Sequence, residues 1–216
     1  MAIQERRFKF GKNWSSFLRL LDESRIQEAE LSLKKAFNRS DLQDMRFLDV
    51  GSGSALFSLA ARRLGAEVHS FDYDQQSVAC TQSLKDRFFP NDGKWVIEQG
   101  SALDQPYLDT LGQFDILYSW GVLHHTGNMV QAFENVSGMV KPTGYLFISI
   151  YNDQGGPSRR WIWVKKTYNQ SGPFVRWLLT IYTLFRQWTI TFIKDFFKTG
   201  NPFKSWRYYA HDNRGM

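Results

Sequence analysis

Cysteine is almost missing: Cys80 is the single thiol in 216 residues. One thiol excludes an internal disulfide framework and any zinc site built on several cysteines. The scarcity also fits a reducing compartment, and no metal site is expected. No uninterrupted apolar run reaches the length of a bilayer span. Residues 1–14 are charged and have no apolar signal stretch. A cytoplasmic chain is expected, with a peripheral membrane location as the variant. Acidic side chains are scarce in one region only. Residues 157–216 hold two against 11 basic, a net of +9, whereas residues 1–156 hold 19 against 16, a net of −3. The same tail carries 15 of the 35 aromatic residues. Two regions with different surface demands therefore meet near Gly155-Gly156-Pro157.

What is present is an alternation. A helix is expected over 15–37, with Ser15 as its cap. Strands follow at Arg46–Val50, Glu67–Phe71, Trp95–Glu98, Phe114–Ser119 and Tyr145–Ile150. Helical periodicity separates them at Leu56–Leu64, Gln75–Phe89, near Tyr107–Leu111, and at Met129–Val140. Strands alternating with helices at these lengths imply a doubly wound α/β fold with a mostly parallel sheet. The expected organisation is an N-terminal helical segment or lid over 1–44, an α/β core over 45–152, and a helical insertion or cap over 153–216.

The first strand hands over to a helix through Asp49-Val50-Gly51-Ser52-Gly53-Ser54-Ala55. Gly51 permits an unusual turn, and Gly53 lets a ligand approach the main chain. Asp49 ends the strand, where it can accept from an ammonium group or from loop amides. About twenty residues on stands Asp72, placed to accept both hydroxyls of a ribose. A dinucleotide loop wants a third glycine where Leu56 stands, and an acid before Gly51 suits a cationic moiety better than a pyrophosphate.

The loop resembles the first motif of class I S-adenosylmethionine-dependent methyltransferases, D/E-x-G-x-G-x-G, with Ala55 in place of the last glycine. The resemblance covers roughly residues 45–151 and implies a Rossmann-like methyltransferase fold. It also implies S-adenosylmethionine as cofactor and S-adenosylhomocysteine as product. Cofactor contacts would come from Asp49, Gly51, Ser52, Gly53, Asp72, Tyr73, Ser101 and Ala102, with Tyr73 flanking the adenine. Ser101 stands where many members have Asp. Residues 114–125, FDILYSWGVLHH, are similar to the fourth-strand motif of small-molecule methyltransferases, including those acting on quinone precursors. Trp120 and Gly121 join the cofactor set on that basis.

For a hydroxyl acceptor, methyl transfer needs positioning and removal of a proton. His124 and His125 follow the fourth strand at the sheet edge where ligands bind, and a histidine suits a general base. His125 is placed slightly ahead, and ordering of the loop is the competing role. Tyr151 and Asn152 could line the acceptor pocket or form a turn. Trp14 could belong to a lid or staple the first helix. Asp115 could act in the site or cap its turn.

The tail reads as one long helix over 173–198, with Arg176, Thr180, Thr183, Gln187, Thr191, Lys194 and Lys198 on one stripe and apolar residues elsewhere. It is expected to act as a lid or dimer surface first, a membrane contact second. No nucleic acid partner is expected, because the aromatics are segregated from the cations. The β-hairpin that usually ends the family's sheet is not found in 151–216, and a shortened chain is the expected reason. The expected activity is methyl transfer to an oxygen, or a nitrogen, of a small-molecule acceptor. The alternatives are a nucleotide-cofactor oxidoreductase and a non-catalytic, membrane-peripheral cofactor-binding module.

Overall fold

The computed structural model describes residues 21–206. Helix α1, Glu23–Phe37, starts where the Asp22 side chain accepts the Arg25 backbone N–H at 2.9 Å. Such a cap satisfies a donor that the first helical turn leaves orphaned. Ile26, Ala29, Leu33 and Phe37 recur at helical spacing, and all are buried. This corrects the expected start: residues 15–20 lie outside the described residues, and Leu21 and Asp22 are not helical.

The alternation then runs β1 (Arg46–Val50), α2 (Leu56–Arg63), β2 (Glu67–Asp72), α3 (Gln75–Phe88), β3 (Trp95–Gln99), α4 (Gln105–Leu111), β4 (Phe114–Trp120), a 3₁₀ turn (Leu123–His125), α5 (Met129–Ser137) and β5 (Val140–Ser149). All five strands are parallel, in the order β3-β2-β1-β4-β5. Alternate residues of each strand feed two separate cores, one per face of the sheet. Phe47, Val68, Trp95 and Tyr118 pack with α1, α2 and Leu84 of α3. Leu48, Val50, Phe71 and Leu117 pack with Leu108 of α4 and with Ala132 and Val136 of α5. Phe47, Phe71 and Phe114 are at most 2% exposed, each a contribution of roughly 1.5–3 kcal/mol to burial.

The last strand begins earlier than expected. Helix α5 stops at Ser137, and the Phe114 N–H already donates to the Met139 carbonyl at 2.9 Å. The register then shifts, so that Val140 faces Phe114 but Tyr145 faces Ile116. Pro142, which lacks an N–H, lies within this irregularity. Gly144 is required there: a Cβ would sit 2.8 Å from the Asp115 carbonyl oxygen.

Residue contacts divide the chain into two compact units between Tyr151 and Asn152. The second unit contains α6 (Gly156–Gln170), which the sequence reading had not placed, and α7 (Pro173–Thr199). The Arg176 guanidinium of α7 donates to the carbonyls of Tyr168 and Asn169 in α6, at 3.0 and 3.3 Å. After Gly200 the chain turns back. Ser205 donates through its N–H and its hydroxyl to Asp195, and Trp206 packs on Trp188 at 4.7 Å. Among the described residues no helix is long and apolar enough to cross a membrane.

Candidate functional site

Strand order reverses between β1 and β4, so a crevice opens outside the carboxyl ends of these two strands. Residues 51–55 occupy one side of it. Gly51 and Ser52 donate their N–H groups to the Phe71 carbonyl at 2.8 and 3.1 Å, and Gly53 donates to Asp72 Oδ2 at 3.0 Å. Three consecutive amides are thereby anchored on the end of β2. The Ser52 hydroxyl shares a 3.0 Å hydrogen bond with Thr81 of α3. Gly51 and Gly53 both have positive φ, at 79° and 54°. A Cβ on Gly51 would lie 2.5 Å from Val122 Cγ1, so the loops after β1 and β4 touch at this glycine. Ala55, the departure from the family motif, also takes a left-handed conformation, with φ 60°, and is fully buried.

Two carboxylates stand behind the loop. Asp72 accepts Gly53 N–H with one oxygen and Asp74 N–H with the other, at 3.0 and 2.9 Å. Burial nevertheless raises its carboxyl above the ordinary range. Asp49 is 4% exposed, and Ser58 of α2 donates its hydroxyl to it. Ser58 in turn shares a hydrogen bond with Ser70, which accepts the Trp95 indole N–H at 3.0 Å. Burial pushes Asp49 up to about 7; the Ser58 bond opposes this, and the charge of Asp72 adds to it. Tyr73 follows Asp72 and is 58% exposed. Gly100 donates its N–H to the Asp72 carbonyl, which brings Ser101 and buried Ala102 to the same end of the sheet. Ser101 Oγ accepts the Leu103 N–H at 3.2 Å and so orders its own turn.

Across the crevice, Ser119 donates to the Val50 carbonyl at 3.0 Å, tying the ends of β4 and β1. Trp120 stacks on Phe147 at 5.9 Å, and Phe147 on Tyr118 at 5.3 Å. Gly121, with φ 73°, donates to the Ser149 carbonyl. The 3₁₀ turn then brings His124 within 4.1 Å, ring to ring, of both His125 and Tyr151. Both ring nitrogens of His124 are buried, and neither has a hydrogen-bond partner among the described residues. Burial, and then the neighbouring His125, lower its pKa below the usual 6.5. Asn152 is exposed and begins the second unit, and Trp14 lies outside the described residues.

Other sequence candidates serve structure. Asp115 accepts the Arg46 N–H at 2.9 Å and pairs with Lys141. His69 and the Tyr107 hydroxyl share Glu98 Oε2, each at 3.1 Å, in a groove of about 690 Å³ beside α4. Its polar groups are mutually satisfied, and it lies on the α4 side of β3. Among the described residues no cluster could hold a metal ion. Val122 and Ser58 were not anticipated. Val122 carries no chemical signal, and Ser58 becomes visible only once α2 is wound, nine residues after Asp49.

The donor set fits S-adenosylmethionine better than a dinucleotide. Two carboxylates beside the loop, Asp49 buried and Asp72 half-buried, suit a cation and disfavour a pyrophosphate. Residues 48–148 match a family described as methyltransferase domain. Ubiquinone biosynthesis O-methyltransferases of Parvibaculum lavamentivorans and Colwellia psychrerythraea are 29% and 28% identical over 51% and 58% of the chain. The chain spans only 42% and 50% of those two relatives. The magnesium protoporphyrin IX methyltransferase of Synechocystis, solved with S-adenosylhomocysteine, shares the fold with a TM-score of 0.53. It is 14% identical, with 68% of this chain and 64% of that one covered. A structure from Methanococcus maripaludis, assigned as an S-adenosyl-L-methionine-dependent methyltransferase, gives a TM-score of 0.55 at 16% identity, over 78% of this chain and 76% of that one. Residues 48–148 of the α/β core thus match the methyltransferase-domain family, and the core has the Rossmann-like fold found in S-adenosylmethionine-dependent methyltransferases.

Proposed function

We propose that the chain moves a methyl group from S-adenosylmethionine to an oxygen of a small-molecule acceptor, with nitrogen as the second acceptor atom. The observation that carries this reading is the glycine loop anchored on β2, with Asp49 buried and Asp72 half-buried behind it. The oxygen preference rests on the O-methyltransferases among the relatives. When bound, S-adenosylmethionine supplies an electrophilic methyl group on a sulfonium. Gly51, Ser52 and Gly53 hold the amino-acid end, with Asp49 as the nearest anionic group. Asp72 takes the ribose hydroxyls through the lone pairs its backbone bonds leave free. Tyr73, Ser101 and Ala102 surround the adenine. Trp120 and Gly121 close the cofactor side, and Tyr151 lines the acceptor side.

The histidine pair takes the acceptor's proton. Between the two, His124 is favoured by its orphaned nitrogens. Leaving a buried polar group unpaired costs roughly 1–3 kcal/mol, which an acceptor hydroxyl donating to the imidazole would offset. The lowered pKa keeps that imidazole neutral, and hence a proton acceptor, at pH 7. For the second unit two partners stand, a second copy of the chain and a membrane surface.

Calorimetry tests the cofactor. S-adenosylmethionine and S-adenosylhomocysteine should bind and NAD should not, and Asp72→Ala should weaken binding by roughly 1.5–3 kcal/mol. Binding of NAD alone would reassign the site to an oxidoreductase. For the base, His124→Ala should slow methyl transfer by roughly 10²–10⁴-fold with cofactor affinity near normal. The parent rate should rise with pH to a plateau, with a midpoint below 6.5. A loss confined to His125→Ala would move the role to His125, and equal losses in both variants would indicate a damaged turn.

A further inference from the structure

We propose that the second unit docks on an anionic membrane surface through the exposed apolar face of α7. Along this helix most polar positions form one stripe, Arg186 and Thr189 stand outside it, and apolar side chains cover most of the remaining circumference, roughly two-thirds of the whole. That wide face lies open: Phe174 is 70% exposed, Phe185 72% and Phe197 82%, with Trp177 and Ile181 also exposed between them. Contiguous apolar surface on this scale marks an interaction site. Part of the polar stripe is already engaged, since Arg176 donates to two carbonyls of α6. The single acid of α7, Asp195, is held by Ser205. Asp195 is thus one negative charge against four positive ones on the helix, Arg176, Arg186, Lys194 and Lys198.

Charge selects the occupant. Residues 157–216 carry 11 basic side chains against two acidic. A twofold interface would place two such surfaces against each other, because each copy contributes the same patch. An anionic lipid surface attracts both. Nucleic acid would need several cations interleaved with the exposed rings, whereas here only Arg186 stands among them. Among the described residues no helix is long and apolar enough to span a bilayer, so α7 lies in the interface plane. Its rings enter the headgroup boundary, and its lysines stay on the polar side.

Vesicle flotation of the full chain tests this independently of any catalytic activity. The chain should float with phosphatidylcholine vesicles containing phosphatidylglycerol, and much less with phosphatidylcholine alone. Raised salt should release it. Replacing Phe174, Phe185 and Phe197 together by Ser should lower partitioning by at least about tenfold. Each of Lys194→Gln and Lys198→Gln should lower it by roughly fivefold. These side chains are exposed, and unchanged far-ultraviolet circular dichroism would confirm that the fold survives. Failure to float with either vesicle, or equal flotation with both, would overturn the proposal. So would a vesicle-free dimer that the triple variant converts to monomer, because the face would then belong to a second copy.

Discussion

Asp49 is held in a place where its charge is unwelcome. Its carboxyl sits inside β1 with one hydroxyl donor, from Ser58, and burial pushes it up to about 7 from an ordinary 3.8. Between those two values the folded chain keeps a proton that the unfolded chain has released. Stability without ligand should therefore fall as pH rises through that interval, and level off above about 7. Asp49→Asn keeps an acceptor for Ser58 and removes the titration. At pH 8 it should be more stable than the parent by about 1–3 kcal/mol in chemical unfolding, yet bind S-adenosylmethionine more weakly. A variant with the parent's pH dependence would show that Asp49 ionises freely. The acid was legible in the sequence because it precedes Gly51 at a strand end. Its proton affinity was not, because that depends on Ser58 and Asp72 arriving from other elements.

The two crevice loops depend on one contact, Gly51 against Val122, where a Cβ would come within 2.5 Å of the valine. Gly51→Ala should therefore destabilise the chain by about 1–3 kcal/mol through overpacking, besides the cost of its positive φ. Adding Val122→Ala should recover part of that loss, and thermal unfolding of the double-mutant cycle measures the coupling. Purely additive losses would mean that the loops do not press on each other. At this scale the alternation of strands and helices was readable because four of the five strands are short runs closed by a glycine or an acid, Gly51, Asp72, Gly100 and Gly121. The start of β5 was not. Met129–Val140 has helical periodicity throughout, and only pairing with Phe114 takes Met139 and Val140 into the sheet. Helix α6 escaped because its mixture of basic and aromatic residues buries only Val164, which leaves no apolar stripe to read.

At the scale of the whole molecule, the change of charge near Gly155 was visible in the sequence, and residue contacts separate two compact units between Tyr151 and Asn152. The glycine loop and Asp72, the proposed cofactor side, were legible as one sequential motif and one acid at the end of the next strand. The acceptor side was not, since which of two adjacent histidines loses its partners depends on how a 3₁₀ turn folds against Tyr151. The anchoring of Gly51, Ser52 and Gly53 on β2 has a consequence for time as well as for affinity. Those amides are already fixed to Phe71 and Asp72, so the cofactor meets a finished surface and no ordering step separates encounter from binding. In stopped-flow measurements the observed rate should climb linearly with cofactor concentration, with a slope of roughly 10⁵–10⁷ M⁻¹s⁻¹. A rate that saturates would reveal a slow opening of the loop that the hydrogen bonds to β2 are expected to prevent.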